Sequence, residues 1–300
     1  MKIFVTSPNE NWILDRFKKE WLENASSYST QNLWTSDIIW MLDGYSWKRL
    51  SIQALQNKKI IITVHHIVPE KFDREDFLAR DRFIDYYHVP CEKTSLQIKP
   101  YTKKPIMILP FWVNEKIWFN INEKDNLRKK YNLPLHKFLI GSFQRDTEGH
   151  DLKSPKLAKG PDLFCDYAEN ISKEKDIEIV LSGWRRQYVM SRLEYANIKY
   201  HFYEMCDFQN LNELYNCLDL YVVSARHEGG PQAIAECAMT KTAIVSTDVG
   251  VAKYILAPES IKEYDKLSSA KPNIEYAHNR VMKYKIDQHI NNFIELFNSL

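Results

Sequence analysis

Glycine is scarce in this chain, with 8 residues among 300. Neither the phosphate-binding pattern Gly-x-x-x-x-Gly-Lys-Ser/Thr nor the dinucleotide pattern Gly-x-Gly-x-x-Gly occurs. Both patterns depend on glycines that let the backbone approach a pyrophosphate closely. Their absence counts against a P-loop NTPase and against a classical dinucleotide enzyme, and the low glycine content argues against flexible linkers.

Two further motifs are missing. No Asp-x-Asp occurs, so a metal-chelating nucleotide-sugar site of that type has no support, and we expect no metal in the site. No Gly-x-Ser-x-Gly occurs either, which leaves a hydrolase nucleophile elbow unsupported.

Cysteine and long apolar runs are also limited. The five cysteines form no Cys-x-x-Cys pair, so we expect them to be reduced in a cytoplasmic protein, mostly as small core residues. No apolar stretch approaches 18 residues, which predicts no transmembrane helix. The net charge of +2 gives no strong nucleic-acid signal. Peripheral association with a membrane stays open.

What the chain does contain is a regular alternation of apolar runs with charged amphipathic segments. This alternation is typical of βαβ units and parallel sheets. Two series of such runs predict two Rossmann-like halves. The predicted strands are Lys2–Thr6, Ser36–Met41, Lys59–Val64, Tyr86–Val89 and Ile106–Leu109, then Phe138–Phe143, Glu178–Ser182, Lys199–Tyr203, Leu220–Ser224 and Ala243–Ser246. The predicted helices include Trp12–Glu23, Trp47–Leu55, Pro161–Ile171, Leu211–Asn216 and Pro231–Met239.

The junction between the two halves is predicted near Leu109-Pro110-Phe111-Trp112-Val113. This gives an N-terminal domain over residues 1–113 and a second domain over residues 114–272. Residues 273–300 carry apolar side chains at helical spacing, which predicts C-terminal helices that pack back on the body.

The most informative segment runs from Ser224 to Glu236. A predicted buried strand ends at Ser224, Glu228 follows, and Gly229-Gly230-Pro231 opens a nearly apolar helix. Pro231 fits the first helical position. Glu228 is either a sugar-binding carboxylate or a helix cap. Glu236 lies on the apolar helix and is either an acceptor for a ribose diol or half of a buried ion pair, at about even odds.

Arg145 and Lys159 follow another predicted strand. Lys159 precedes Gly160-Pro161, where a helix begins. An Arg and a Lys beside a helix N-terminus suit a diphosphate, although two solvated surface charges are the ordinary alternative. Ligands of open α/β sheets bind beyond the carboxyl ends of the strands, where these residues fall.

The first half offers weaker candidates. His65 ends a predicted strand and could bind a sugar oxygen or phosphate, or be purely structural. The loop Ser7-Pro8-Asn9-Glu10-Asn11-Trp12 has a composition suited to carbohydrate, with Asn9 as its candidate residue, but an ordinary surface loop explains it as well.

Taken in order, these segments resemble the retaining glycosyltransferases of family four, which have the GT-B fold of two Rossmann-like domains facing a cleft. The resemblance rests on an ordered set of motifs along most of the chain. They are Thr63-Val64-His65-His66, Val89-Pro90-Cys91, Leu109-Pro110 into Asn114, Gly141-Ser142-Phe143-Gln144-Arg145 with Lys159-Gly160, Ser224 into Glu228-Gly229-Gly230-Pro231 and Glu236, and Thr247-Asp248-Val249-Gly250.

The resemblance implies roles for individual residues. Arg145 and Lys159 would neutralise the donor diphosphate, and Glu228 would act with them in catalysis. Glu236 would bind the nucleotide ribose. His65 and Asn9 would line the acceptor side. The remaining donor-binding positions would be Gly229, Gly230, Pro231, Ser224 and Gly183. The co-substrate would be a UDP- or GDP-linked sugar, with no further cofactor and an unidentified acceptor.

Some positions depart from the family pattern. The glycine pair after the first strand is replaced by Ser7-Pro8-Asn9, and the polar insertion from Asp146 to Ala158 is long enough for a flap over the donor. Two alternatives to glycosyl transfer stay open at this point, namely a GT-B nucleotide-sugar epimerase and a non-catalytic nucleotide- or carbohydrate-binding module.

Overall fold

The computed structural model describes residues 1–10 and 12–300, so Asn11 of the predicted carbohydrate-type loop lies outside the described residues. The chain divides into two compact units. Unit 1 comprises residues 1–112 together with residues 284–300, and unit 2 comprises residues 113–283.

Unit 1 is built on a five-stranded parallel sheet whose spatial order follows the chain order. Its strands are β1 (Ile3–Thr6), β2 (Ile38–Met41), β3 (Lys59–Thr63), β4 (Tyr86–Val89) and β5 (Ile106–Ile108). The three central strands are buried almost throughout, as expected for a parallel sheet covered on both faces.

Unit 2 contains a second parallel sheet with the order β10-β9-β6-β11-β12, together with a short antiparallel hairpin. Its strands are β6 (Phe138–Ser142), the hairpin strands β7 (Thr147–Glu148) and β8 (Ser154–Pro155), then β9 (Ile177–Ser182), β10 (Tyr200–Tyr203), β11 (Leu220–Val223) and β12 (Ile244–Ser246). The chain order reverses beside β6, and such a switch point is where α/β sheets bind ligands.

Helices connect these strands in both units. In chain order they are α1 (Ile13–Asn24), α2 (Ile52–Asn57), α3 (Arg74–Asp81), α4 (Glu92–Ile98), α5 (Lys124–Lys130), α6 (Pro161–Ile171), α7 (Gln187–Tyr195), α8 (Phe208–Cys217), α9 (Gln232–Thr240), α10 (Ala252–Ile255), α11 (Ile274–Val281) and α12 (Ile286–Asn298).

The core of unit 1 is an aromatic cluster to which the last helix contributes. Phe297 of α12 lies 5.0 Å from Trp40 between ring centroids and 5.8 Å from Trp21. Phe293 lies 5.5 Å from Trp40, and the ring of Phe111 stacks 4.0 Å from Phe17. Helix α12 therefore belongs to the core of the N-terminal unit.

All ten predicted strands are present with ends within two residues of the expected ones. The division of the C-terminal segment differs from the expected 273–300, because α11 packs on α9 and α10 inside unit 2 and only α12 joins unit 1. The first boundary falls after Trp112, one residue before the expected one.

Two predicted helices need correction. Trp47–Leu55 is interrupted: a 3₁₀ turn covers Ser46–Arg49, and α2 starts after Ser51, whose hydroxyl accepts the Ala54 N–H as an N-cap. Pro231 is the N-cap of α9 and not its first helical residue, with ψ of 110°.

No helix among the described residues is long and apolar enough to cross a membrane. The five cysteines are free thiols, and four of them are buried.

Candidate functional site

The candidate site in unit 2 lies where the loops that follow β6, β9, β11 and β12 meet at the carboxyl edge of the sheet. Parallel strands all end on this edge, so side chains that are distant in sequence come together here. Direct contacts between the loops, described below, hold them in place.

The closest contact joins Gly160 to Ser224. Gly160 has φ of +61°, and a Cβ built on it would lie 1.9 Å from the carbonyl oxygen of Ser224. The Ser224 hydroxyl in turn donates to the Gly160 carbonyl oxygen at 2.7 Å. Only glycine allows this approach, which places the start of α6 directly against the end of β11.

This contact brings Lys159 to Glu228. The Lys159 Nζ forms an ion pair with Glu228 Oε1, and both side chains are largely buried. Burial lowers the pKa of Lys159 to about 7, and the positive charge of Lys156 acts in the same direction. The Glu228 carboxylate opposes both effects. The two residues predicted to bind diphosphate and donor sugar are thus direct neighbours.

The Gly229 backbone is enclosed from the side of β12. Gly250 has φ of +50°, and a Cβ there would lie 2.3 Å from the Gly229 carbonyl oxygen. The Thr247 hydroxyl donates to the Ala225 carbonyl oxygen at 2.6 Å, which adds a second link between the loops after β11 and β12. Gly229 and Gly230 therefore lie in a loop that the segment after β12 contacts at two points.

Glu236 is buried on α9, with 4% of its surface exposed. Tyr215 on α8 donates its hydroxyl hydrogen bond to Glu236 Oε2 at 2.9 Å. Burial and the Glu236 charge raise the pKa of Tyr215 well above its usual value, so the phenol stays protonated and able to donate. A tyrosine thus holds this carboxylate, a partner that the sequence-based alternatives did not include.

Arg145 follows β6 and lies against the loop after β9. Its Nε donates to the Thr147 carbonyl oxygen at 3.0 Å, and its guanidinium lies 5.1 Å from the ring centroid of Trp184. Burial and the charge of Arg185 lower the pKa of Arg145. The preceding residue, Gln144, donates to the Lys159 carbonyl oxygen at 3.1 Å, so the loop of Arg145 contacts that of Lys159.

Gly183 fits between two strand ends. It has φ of +102°, and a Cβ there would lie 3.9 Å from the Gln144 backbone. There is room for a side chain here, so the requirement for glycine comes from the positive φ of the turn after β9.

The sequence reasoning missed the residue pair that fixes these two loops. Arg186 is fully buried and forms an ion pair with the buried Asp146. Its guanidinium also donates to the carbonyl oxygens of Ser142 and Ser182, the last residues of β6 and β9. The sequence contains only a weak indication of this pair. Asp146 begins the long insertion, and Arg186 comes shortly after the predicted strand that ends at Ser182.

The insertion itself forms the hairpin of β7 and β8, and Lys156 N–H donates to the Asp146 carbonyl oxygen at 2.7 Å. Thr147 bridges it to α7, because the Thr147 hydroxyl accepts the Tyr188 N–H at 2.8 Å. The residues at the base of this hairpin are therefore hydrogen-bonded to each other and to α7 at the carboxyl edge of the sheet.

The two candidates of unit 1 serve contacts within that unit. The Asn9 N–H donates to Asp15 Oδ1 at 2.9 Å, and Asn9 has φ of +59°. His65 Nε2 lies 2.9 Å from the Leu42 carbonyl oxygen, and its ring stacks on Phe111 at 5.6 Å. Among residues 1–10 and 12–300, no group of three or more His, Cys, Asp or Glu side chains is arranged to hold a metal ion.

Comparison with known proteins defines the class. Residues 153–264 match the family described as Glycosyl transferases group 1, and this segment contains Lys159, Glu228 and Glu236. The expectation that the chain is a glycosyltransferase is thereby confirmed. No match is found among curated protein sequences.

Solved structures confirm the expected α/β fold of the GT-B glycosyltransferases. The sucrose-phosphate synthase of Thermosynechococcus elongatus is 14% identical with a TM-score of 0.74, and the match covers 98% of this chain and 80% of that one. Alr3699/HepE of Anabaena, solved with UDP-glucose, is 11% identical with a TM-score of 0.78 over 99% of both chains. A glycosyltransferase of Rickettsia africae is 13% identical with a TM-score of 0.69, covering 98% and 83%.

Proposed function

We propose that the protein transfers a sugar from a UDP- or GDP-linked donor to a hydroxyl group of an acceptor. In this proposal the anomeric configuration is retained and no metal ion is required. The family match over residues 153–264 supports nucleotide-sugar glycosyl transfer. Retention of the anomeric configuration and independence from metal ions are more specific parts of the proposal, and they rest on the residues of the site.

The observation that carries the proposal is the ion pair between Lys159 and Glu228. It joins a cation suited to a diphosphate with a carboxylate suited to sugar hydroxyls, at the edge of the sheet where ligands bind. The pairing is local because Gly160 permits the loops after β6 and β11 to touch.

Arg145 and Lys159 supply positive charge where the leaving diphosphate develops negative charge. Stabilisation of developing charge by fixed groups in a partly buried site is a large contribution to catalysis. Two cations can supply it without a divalent ion, which is why we propose a metal-independent reaction.

Glu228 and the enclosed backbone of Gly229 and Gly230 then hold the donor sugar, and Glu236 accepts from the ribose hydroxyls. Tyr215 occupies one oxygen of Glu236. A carboxylate can accept about four hydrogen bonds in total, so the bond from Tyr215 does not by itself prevent Glu236 from accepting from a diol. Retention follows if the acceptor attacks from the face that the diphosphate leaves, with that phosphate assisting deprotonation of the acceptor.

The first experiment is a thermal-shift screen of UDP, GDP and their sugars, because a bound donor stabilises the fold by mass action. UDP-glucose heads the screen, since HepE was solved with it. We expect one donor to raise the melting temperature and to be consumed in the presence of EDTA, with the product anomer assigned by NMR. Donor turnover without an acceptor to an epimeric sugar would favour an epimerase, and binding without any turnover would favour a binding module.

The site assignment is tested by Glu228→Ala and Lys159→Ala. We expect each variant to fold and to lose transfer by about a thousandfold, since interactions with transition-state charge are worth several kcal/mol. Lys130→Ala is the matched control, because it breaks a similar ion pair to Glu213 between α5 and α8. Full activity in either site variant contradicts the assignment.

A further inference from the structure

We propose that Arg185 binds a phosphate group beside Arg145, so that the site presents two guanidinium groups to its anionic ligand. This inference rests on the proposed function for the identity of the ligand. The supporting observations concern the backbone of Arg185, its partners and the contrast with other arginines of unit 2.

The backbone of Arg185 is strained. Arg185 has φ of +56°, in the left-handed region that a non-glycine residue adopts only at an energetic cost. The conformation is held by two hydrogen bonds, because the N–H groups of Asp146 and Thr147 both donate to the Arg185 carbonyl oxygen, at 3.2 and 3.1 Å. Strain of this kind persists where the surroundings fix it and is concentrated at functional sites.

The guanidinium of Arg185 has weak partners. Its Nη1 donates to the Gly149 carbonyl oxygen at 3.2 Å, and its centre lies 4.5 Å from the Trp184 ring centroid. Its Nε is buried and has no hydrogen-bond partner. Neither Arg185 nor Arg145 forms a salt bridge to a carboxylate in the part of the chain that the structure describes.

The other buried or half-buried arginines of unit 2 behave differently. Each is paired with a carboxylate: Arg128 with Asp219, Arg186 with Asp146, Arg192 with Asp166 and Glu169, and Arg226 with Asp162. Arg280, the remaining arginine of the unit, is exposed. Two half-buried guanidiniums that form no salt bridge among the described residues therefore lie together at the edge where the donor is proposed to bind, and the carboxylate whose charge acts on Arg145 is that of Glu148.

The indole of Trp184 is their common neighbour. Trp184 is 44% exposed, and both guanidiniums lie within cation–π distance of its ring. An aromatic contact orients a guanidinium while leaving its N–H groups to donate, whereas a carboxylate would use them. The planar fork of arginine matches phosphate oxygens in two-point hydrogen bonding. This arrangement suits a phosphate group in particular.

The phosphate could come from the diphosphate of the donor or from a phosphate on a second substrate. Calorimetric titrations with pyrophosphate, UDP, UMP and uridine separate the first source. Titration with inorganic phosphate at saturating UDP detects the second. The variants are Arg185→Gln and Arg185→Lys, with Arg192→Gln as the control in which a carboxylate-paired arginine nearby is changed.

We expect Arg185→Gln to weaken pyrophosphate and UDP binding about tenfold, because a hydrogen bond to a charged group is worth about that factor. Uridine binding should change less than twofold, Arg185→Lys should be intermediate, and Arg192→Gln should bind as the unmodified protein does. Loss confined to inorganic phosphate in the presence of UDP supports the second source.

Unchanged binding of all anions in Arg185→Gln overturns the inference even if UDP binds, and in that case the proposed function stands. Failure of the unmodified protein to bind UDP or GDP contradicts the proposed function, whereas the pyrophosphate titration still decides on Arg185. Failure to bind pyrophosphate, phosphate and UDP overturns both.

Arg185→Gly adds a readout that a purely structural role would not give. Glycine removes the strain at positive φ, so this variant should melt at a higher temperature while its affinity for pyrophosphate falls. A variant that loses stability and keeps its affinity would instead assign Arg185 a structural role.

Discussion

The two units have similar sheets, but their strand-end loops use polar groups in opposite ways. In unit 1 the loop after β1 is closed on its own carboxylate: Asp15 accepts from the Ser7 hydroxyl at 2.5 Å and from the N–H groups of Asn9, Glu10 and Trp12. Burial acts to raise the pKa of Asp15, but these hydrogen bonds outweigh it and the pKa is lowered. The donors of this loop are satisfied inside the protein.

One buried histidine of unit 1 follows the same rule. His88 is fully buried, and burial lowers its pKa to about 3, so it is neutral. The Trp40 indole N–H donates to the Thr63 hydroxyl, which lies 2.9 Å from His88 Nδ1, while His88 Nε2 lies 2.8 Å from the Leu109 carbonyl oxygen. A neutral ring that donates from Nε2 satisfies the whole chain of groups.

In unit 2 the equivalent loops carry charges that the protein leaves only partly compensated. Arg145 and Arg185 contact carbonyl oxygens and an indole, and Lys159 contacts Glu228. This difference favours unit 2 as the unit that binds an anion. A loop whose hydrogen-bond donors already have partners in the protein has few donors left for an anionic ligand. The following predictions test that difference.

The largest effect is expected from Gly160→Ala. The added Cβ would lie 1.9 Å from the Ser224 carbonyl oxygen, on a residue with positive φ. We therefore expect the free energy of unfolding to fall by about 3 kcal/mol and donor binding to be lost. The measurements are urea denaturation and UDP titration. Gly183→Ala is the control, since its Cβ meets no atom closer than 3.9 Å and only the backbone cost of about 1–2 kcal/mol applies. Equal losses in both variants would contradict the importance of the contact.

The next effect is a pH dependence of UDP affinity. With the pKa of Lys159 lowered to about 7, the free protein loses this positive charge as the pH rises above that value. The diphosphate needs the charged form, so affinity should fall above about pH 7, by at most about tenfold per pH unit. Calorimetry between pH 6 and pH 9 measures it. In Lys159→Arg the charge persists and the slope should be nearly flat; an equal slope there would assign the titration to another group.

The smallest effect is expected in unit 1, from Asp15→Asn. The amide retains one acceptor oxygen for a loop that uses two, so we expect about 1 kcal/mol of lost stability, comparable to loss of a helix cap. UDP affinity should stay within about twofold. A tenfold change in UDP affinity would show that this loop takes part in donor binding and would break the contrast between the units.

The sheets were predictable because their strands are short apolar runs rich in β-branched residues, such as Ile60–Thr63 and Leu220–Val223. The order of strand ends then placed Arg145, Lys159 and Glu228 on one edge. That they meet depends on Gly160, whose close contact was invisible in sequence. Helix α7 was missed because only two of its nine residues, Val189 and Leu193, are buried, which leaves a weak apolar pattern.

The parts of the site that escaped prediction depend on long-range partners. Arg186 and Asp146 are 40 residues apart, and two charged residues in loops read as solvated until the fold buries them together. The partner of Glu236 was also beyond reach, because an ion pair with Lys or Arg was the ordinary expectation and a tyrosine from α8 supplies the contact.

The contribution of α12 to the core of unit 1 has a consequence for how the chain folds during synthesis. Unit 2 is continuous in sequence, whereas the aromatic cluster around Trp40 needs Phe293 and Phe297. Because synthesis proceeds from the N-terminus, the ribosome releases every residue of unit 2 before unit 1 can close its core. Unit 1, whose synthesis begins first, is therefore completed last, and until then Trp21 and Trp40 lack the ring contacts that α12 supplies.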